Sequence, residues 1–261
     1  MQHVGEPGNP TRTTTTDPDG TIVTGASAVK KTAGHTAPKW ELEARDRVKA
    51  AIRRYNKHLA DLADRDANEG DTRLLVTDFL CDALGFGKYA DLTTEYQVKG
   101  EFADYGVRIE RELIAFIEVK RVATKLAPKH LRQVEMYAVN EGVEWVILTN
   151  GAVWQVYHLT GGLPVVIDLA LQVDLLGDQP GSHKANQLFY LTRESLKRRQ
   201  IDELWRAKRA TSPKSLAEVL VSESVTEAIR KELRRQTGHN ADSKELVRLL
   251  RETVVRPECL S

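Results

Sequence analysis

One segment constrains this chain more than any other: Leu113-Ile114-Ala115-Phe116-Ile117-Glu118-Val119-Lys120. Its apolar run reads as a buried strand. Ending such a strand in two charges is costly unless those charges have partners. Side chains alternate across a strand, so Glu118 and Lys120 project to one side and Val119 to the other. A carboxylate and an ammonium therefore leave the end of a buried strand together.

Around this segment the hydrophobic pattern changes period. Val48, Ala51, Ile52, Tyr55 and Leu59 recur at helical spacing between Trp40 and Leu62. Asn68 to Asp71 break the pattern. A second helix carries Leu74, Leu75, Phe79, Leu80 and Leu84, with Gly85 at its expected C-terminal cap. Thr93 to Val98, Tyr105 to Ile109 and Leu113 to Val119 read as strands, and Leu126 to Val139 as a helix. Trp145 to Leu148 and Val153 to His158 flank Asn150-Gly151, a strong hairpin signal. Val165 to Leu169 adds an edge strand. Beyond Asn186 the chain reads as mostly helical, with a basic helix near Val225 to Gln236 and another from Ser243 to Val255. Helix, three strands, helix and further strands make an α/β domain with a mixed sheet, in which a crossover helix leads to the next strand.

Residues 1–38 are rich in Thr, Gly, Pro and Asp and lack a hydrophobic period, so a disordered tail is expected there. With 29% charged and 41% hydrophobic residues, the 261-residue chain has an ordinary soluble composition. No apolar run approaches the ~20 residues of a membrane span. No apolar stretch follows a basic start, and Cys81 and Cys259 are the two cysteines. These features lead us to expect a cytoplasmic protein without a zinc cluster or disulfide framework. The net charge of +1 conceals a division: residues 193–261 carry 16 Lys/Arg against 11 Asp/Glu. A mildly basic C-terminal part is compatible with phosphate contacts and equally with a solvated helical surface.

Asp104 lies fourteen positions before Glu118 and opens the run Asp104-Tyr105-Gly106-Val107-Arg108-Ile109. Arg108 to Glu112 supply a polar turn, so the two runs can pair as a hairpin that brings Asp104 beside Glu118. Adjacent carboxylates repel, and a divalent cation with open water positions, Mg2+ or Mn2+, relieves the repulsion. Such a cation lowers the pKa of bound water and polarises a phosphoryl oxygen, while Lys120 holds the attacking water or the developing charge. In-line hydrolysis of a phosphodiester is the chemistry that fits. A surface salt-bridge cluster is the competing account of the same three residues.

Asp104, Glu118-Val119-Lys120, and Gln133 with Tyr137 on the following helix resemble the PD-(D/E)XK nuclease pattern with its Gln-x-x-x-Tyr extension. Leu84-Gly85-Phe86, Glu95-Tyr96, Ile147-Leu148-Thr149-Asn150-Gly151, Trp154 and Tyr157 add to the likeness. The arrangement is most similar to the N-terminal nuclease domain of the R subunit of type I restriction enzymes, over about residues 71–170. The resemblance implies a restriction-endonuclease-like core, a central mixed β-sheet flanked by helices, over residues 39–175. A helical C-terminal extension would fill residues 176–261. It implies metal ligation by Asp104, Glu118 and the backbone carbonyl of Val119, with Lys120 serving the attacking water. Gln133 and Tyr137, one helical turn apart, would position the site or the DNA backbone; otherwise they belong to a half-buried helix face. Glu95 is either an accessory acid or a salt-bridge partner.

Two departures matter. Ala103 stands where the pattern often has Pro. No Gly-x-x-x-x-Gly-Lys-Ser/Thr loop is present, and Gly85-Phe86-Gly87-Lys88 is a glycine turn after a helix. The chain is therefore not expected to translocate DNA by itself, and a motor or specificity function would sit on a separate subunit. Cutting both strands of a duplex needs two sites or two events, which suits a homodimer. The expectation is a Mg2+-dependent endonuclease acting on DNA in restriction or phage defence. The rival is a catalytically silent DNA-binding or partner-recruiting module of the same fold.

Other signals carry less. The seven histidines lack metal-ligand spacing, and His130 reads as a surface residue within reach of phosphate. No Gly-x-Ser-x-Gly elbow is present. Trp145 and Trp154 belong to strand patterns and are expected in the core. Trp205, beside Arg206, Lys208 and Arg209, is a candidate nucleic-acid contact or the anchor of its helix.

Overall fold

The computed structural model describes residues 37–98, 101–161 and 165–259. Pro38–Ser261 is one compact unit of the chain. The tail expected over residues 1–38 lies, apart from Ala37 and Pro38, outside the described residues.

The apolar stripe of the first segment forms α1 (Lys39–Asp64), which buries Ala44, Val48, Ala51, Ile52, Tyr55, Leu59 and Leu62. Asn68 then caps α2 (Glu69–Asp82), its side chain accepting the Asp71 N–H at 2.8 Å. The apparent break at residues 68–71 is thus a helix start. Gly85 follows the helix at φ +79°, the left-handed conformation expected of it.

Six strands follow: β1 (Leu92–Val98), β2 (Glu101–Ile109), β3 (Glu112–Val119), β4 (Trp145–Thr149), β5 (Val153–Thr160) and β6 (Val166–Asp174). They lie in sequence order in one mixed sheet. All neighbours are antiparallel except β3 and β4, which run parallel. A parallel pair needs a crossover, and α3 (Arg132–Glu141) supplies it. The chain is therefore α/β, as its pattern of periods implies. Among the described residues no helix is long and apolar enough to cross a membrane.

The β2–β3 hairpin turns on Glu110 and Arg111, both at positive φ (52° and 75°). Two residues in that region match the twist of a tight hairpin. Their side chains are not glycine, so the turn is held by the pairing on either side and by the Glu110–Lys197 ion pair. At Gly106 the Tyr96 ring lies so close that an added Cβ would stand 2.6 Å from it. Glycine lets Tyr96 pack edge-on against Phe116 at 5.2 Å.

Each sheet face is covered. On one side α1 and α2 pack over Ile117, Val119, Ile147 and Trp154; on the other α3 packs over Phe116, Val146 and Leu148. This is why β3 is continuously buried from Ala115 to Val119. The fully buried Trp154 donates its indole N–H to Gly151 O at 2.9 Å. Loss of such a side chain costs roughly 3–5 kcal/mol.

Helices α4 (Gly181–Leu188), α5 (Arg193–Lys197) and α6 (Gln200–Ala210) continue the first layer. Leu188, Leu196, Ile201 and Trp205 join its core. Arg193 reaches back to the buried Asp91 at 2.8 Å, and Arg47 on α1 clasps Glu194 through two hydrogen bonds. Trp205 stacks on His158 of β5 with ring centres 5.0 Å apart. It is the anchor of its helix, not a surface contact. Trp145 and Trp154 are buried as expected. Helices α7 (Pro213–Leu220), α8 (Glu223–Thr237) and α9 (Ser243–Leu249) complete the fold.

The crossover differs from expectation in one respect. Pro128–His130 form a short 3-10 turn, and α3 begins only at Arg132 rather than near Leu126. Proline lacks the N–H that a continuing helix would use. The His130 ring nitrogen instead accepts the Ala127 N–H at 3.1 Å and closes the turn.

Candidate active site

The hairpin register puts Tyr105 opposite Ile117 and Gly106 opposite Phe116, which brings Asp104 beside Glu118. A direct bond fixes the alignment: the Val119 N–H donates to Asp104 Oδ2 at 2.7 Å. Lys120, just past the strand, is held by its backbone N–H on Thr149 O at 2.8 Å. Its Nζ meets Glu118 Oε1 at 2.5 Å. Glu118 and Lys120 thus share one side while Val119 is buried in the α1–α2 core, the alternation that the sequence requires.

Glu118 is 6% exposed, and its second oxygen, Oε2, is buried without a hydrogen-bond partner among the described residues. A buried, unsatisfied carboxylate oxygen is costly. Burial pushes the Glu118 carboxyl above its ordinary value; the Lys120 hydrogen bond opposes the rise, and the charges of Asp104 and Glu69 add to it. Lys120 also lies above its ordinary value. Burial pulls it down, but the Glu118 hydrogen bond and the charges of Glu118, Glu69 and Asp104 outweigh that pull. The two rises have different main causes: burial lifts Glu118, whereas the hydrogen bond to Glu118 and the surrounding carboxylates lift Lys120 against its own burial.

Two charged residues near the site lie on α2 and escape a reading of the strands alone. Glu69 stands in the first turn, and its charge acts on both Glu118 and Lys120. Arg73, one turn further, donates from Nη1 to Asp104 Oδ1 at 3.0 Å. Their sequence signal is an acid and a base four apart at a capped helix start, which resembles ordinary helix-end chemistry. Glu95, at φ +50° on β1, lies 3.9 Å from Arg73 and joins the site through that guanidinium.

The donor set fits a small hard cation. Glu118 Oε2 needs a partner, Asp104 stands beside it, and the local field is negative. Among the described residues no three His, Cys, Asp or Glu side chains form a ready-made metal shell. Mg2+ is commonly held by one or two carboxylates, with water and substrate oxygens completing the shell.

Neither the family models, nor the curated proteins, nor the solved structures contain a match to this chain.

The helix residues divide. Tyr137 is 2% exposed and packs edge-on to Phe116 in the α3 core. Gln133 occupies the second position of α3, one turn before Tyr137; its side chain lies outside the described residues. His130 is half-buried at the rim. Burial lowers its pKa, and the charges of Lys129 and Lys120 lower it further. The basic C-terminal helices are largely self-neutralised: Arg230 and Lys231 pair with Glu227, Arg235 with Glu232, and Arg248 with Glu245 and Glu252.

Proposed function

We propose that this chain is a Mg2+-dependent endonuclease that hydrolyses DNA phosphodiester bonds. Its core would be restriction-endonuclease-like, related to the nuclease domain of type I restriction R subunits. The observation that carries this reading is the juxtaposition of Asp104 and Glu118 across β2 and β3, with Glu118 Oε2 buried and unpartnered and Lys120 against the same carboxylate.

Asp104, Glu118 and the carbonyl of Val119 would hold the cation, with Glu69 contributing charge from α2. When bound, Mg2+ supplies a Lewis acid and a more acidic water. Lys120 is anchored at its backbone on β4, so its ammonium is fixed where it can orient the attacking water and stabilise charge on the phosphoryl oxygens. Tyr137 supports the floor of the site by packing under Phe116, next to Ile117 and Glu118. The setting we infer is restriction or phage defence in the cytoplasm, as a homodimer or with a separate motor or specificity subunit.

One observation favours a second reading. Both Asp104 oxygens already accept hydrogen bonds, from the Val119 N–H and from Arg73. A DNA-binding or partner-recruiting module of the same fold would keep that arrangement permanently. Incubation of linear and circular plasmid with purified protein in Mg2+, Mn2+ or EDTA separates the two. Metal-dependent cutting is expected; DNA binding without cutting or metal uptake would favour the module.

A further inference from the structure

We infer that the segment from Arg121 to Arg132 is the track on which the nucleic-acid backbone lies, and that the C-terminal helices are not. This inference rests on the proposed function for its choice of polyanion.

From Val119 to Val134 the chain contains no acidic residue, yet Lys120, Arg121, Lys125, Lys129 and Arg132 all fall within it. Arg121, Lys125, Lys129 and Arg132 are exposed. Arg121 meets Asp66 at 3.3 Å, an exposed pair. For Lys125, Lys129 and Arg132, no ion pair forms among the described residues. Like charges gathered in one segment repel, and a polyanion relieves that repulsion.

The segment is nevertheless tied down. The Val122 N–H donates to the buried Thr72 hydroxyl at 3.1 Å, and Asn150 Nδ2 donates to Val122 O and to Thr124 O, each at 3.0 Å. Val122 packs with Leu62 and Ala67, Leu131 is buried, and Leu126 packs against the α3 core. The loop therefore turns its large apolar side chains inward and its cations outward. A membrane surface would favour large exposed apolar side chains in such a segment, and here the exposed apolar residues are the small Ala123 and Pro128. Ordered cations without ordered acids match the requirements of phosphates spaced along a strand.

Position adds to chemistry. The segment begins directly after Lys120, whose Nζ meets Glu118 Oε1 at 2.5 Å. A backbone lying along it would reach the Asp104–Glu118 pair at its Lys120 end. In helices α8 and α9, by contrast, Arg230, Lys231, Arg235 and Arg248 are already paired with nearby glutamates.

The test is binding of a fluorescein-labelled DNA duplex by the full chain in EDTA, read by anisotropy across a salt series. A loop variant combines Lys125→Ala, Lys129→Ala and Arg132→Ala; a helix variant combines Lys231→Ala, Arg234→Ala and Arg235→Ala. The loop variant is expected to lose roughly tenfold or more in affinity, and its slope of log K against log salt to flatten by about 2–3. The helix variant should bind like wild type. Unchanged binding by the loop variant, loss confined to the helix variant, or no binding by wild type would each overturn the inference. Cleavage in Mg2+ is scored separately. A chain that binds through the loop and never cuts upholds the track and removes the hydrolase reading.

Discussion

Arg73 and Asp104 face each other at 3.0 Å, and the pair occupies the one Asp104 oxygen that the β3 backbone leaves open. The guanidinium therefore competes with any cation for Asp104 Oδ1. Its side chain is 40% exposed, so the pair is partly screened and worth about 1 kcal/mol. Arg73→Ala is predicted to tighten Mn2+ binding about tenfold, since a repelling charge leaves with the competing hydrogen bond. Calorimetric titration of the metal-free variant checks this. Weaker Mn2+ binding would make Arg73 a support of the site instead.

The acid response of the site follows from Glu118. Burial holds its carboxyl above the ordinary value. Such a group contributes stability that is present below its unfolded pKa and is lost as pH rises through the folded one. In EDTA, wild type is therefore predicted to gain thermal stability relative to Glu118→Gln as pH falls from about 7 to about 5. A cation held as proposed would compete with the proton for the same oxygens, so any rise in Tm caused by Mn2+ should shrink over that interval. A Mn2+-induced rise that ignores pH would place the cation elsewhere.

Asp91 is buried, and Arg193 is its charged partner at 2.8 Å, with the Gly87 N–H as a second donor. Removing one side of such a pair leaves an uncompensated charge. Arg193 is itself one-third exposed, which discounts the loss. Arg193→Ala is predicted to lower unfolding stability by about 2 kcal/mol, measured in urea at neutral pH.

Trp205 separates docking from recognition. Its ring is 9% exposed and stacks on His158. Trp205→Ala is predicted to cost about 3 kcal/mol of stability and to leave DNA affinity unchanged where the protein remains folded. A selective loss of DNA affinity would restore it as a nucleic-acid contact.

The parts of this molecule legible in its sequence are those governed by periodicity. The run from Leu113 to Val119 forms a buried strand because both sheet faces are covered, and Glu118 and Lys120 emerge together because strand alternation requires it. The hairpin between β4 and β5 was also legible, although Asn150 pairs with Val153, which centres the turn on Gly151 and Ala152. What escaped depends on distant partners. Nothing local says that Asn150 will hold Val122 and Thr124, or that Thr72 will hold Val122. Glu69 and Arg73 read locally as helix-end charges, and only the hairpin register brings Arg73 to Asp104. Trp205 had two sequence accounts, and the decision rests on His158, 47 positions earlier in the chain.

Cleavage of a labelled DNA duplex in Mg2+, comparing wild type with Lys120→Ala at equal metal occupancy, tests whether the proposed site is catalytic. Wild type is expected to cut the duplex, with EDTA abolishing the cutting, and the variant to cut at a rate about 10²–10³-fold lower. Equal rates in the two proteins, or cutting that persists in EDTA, would contradict a catalytic role for the site.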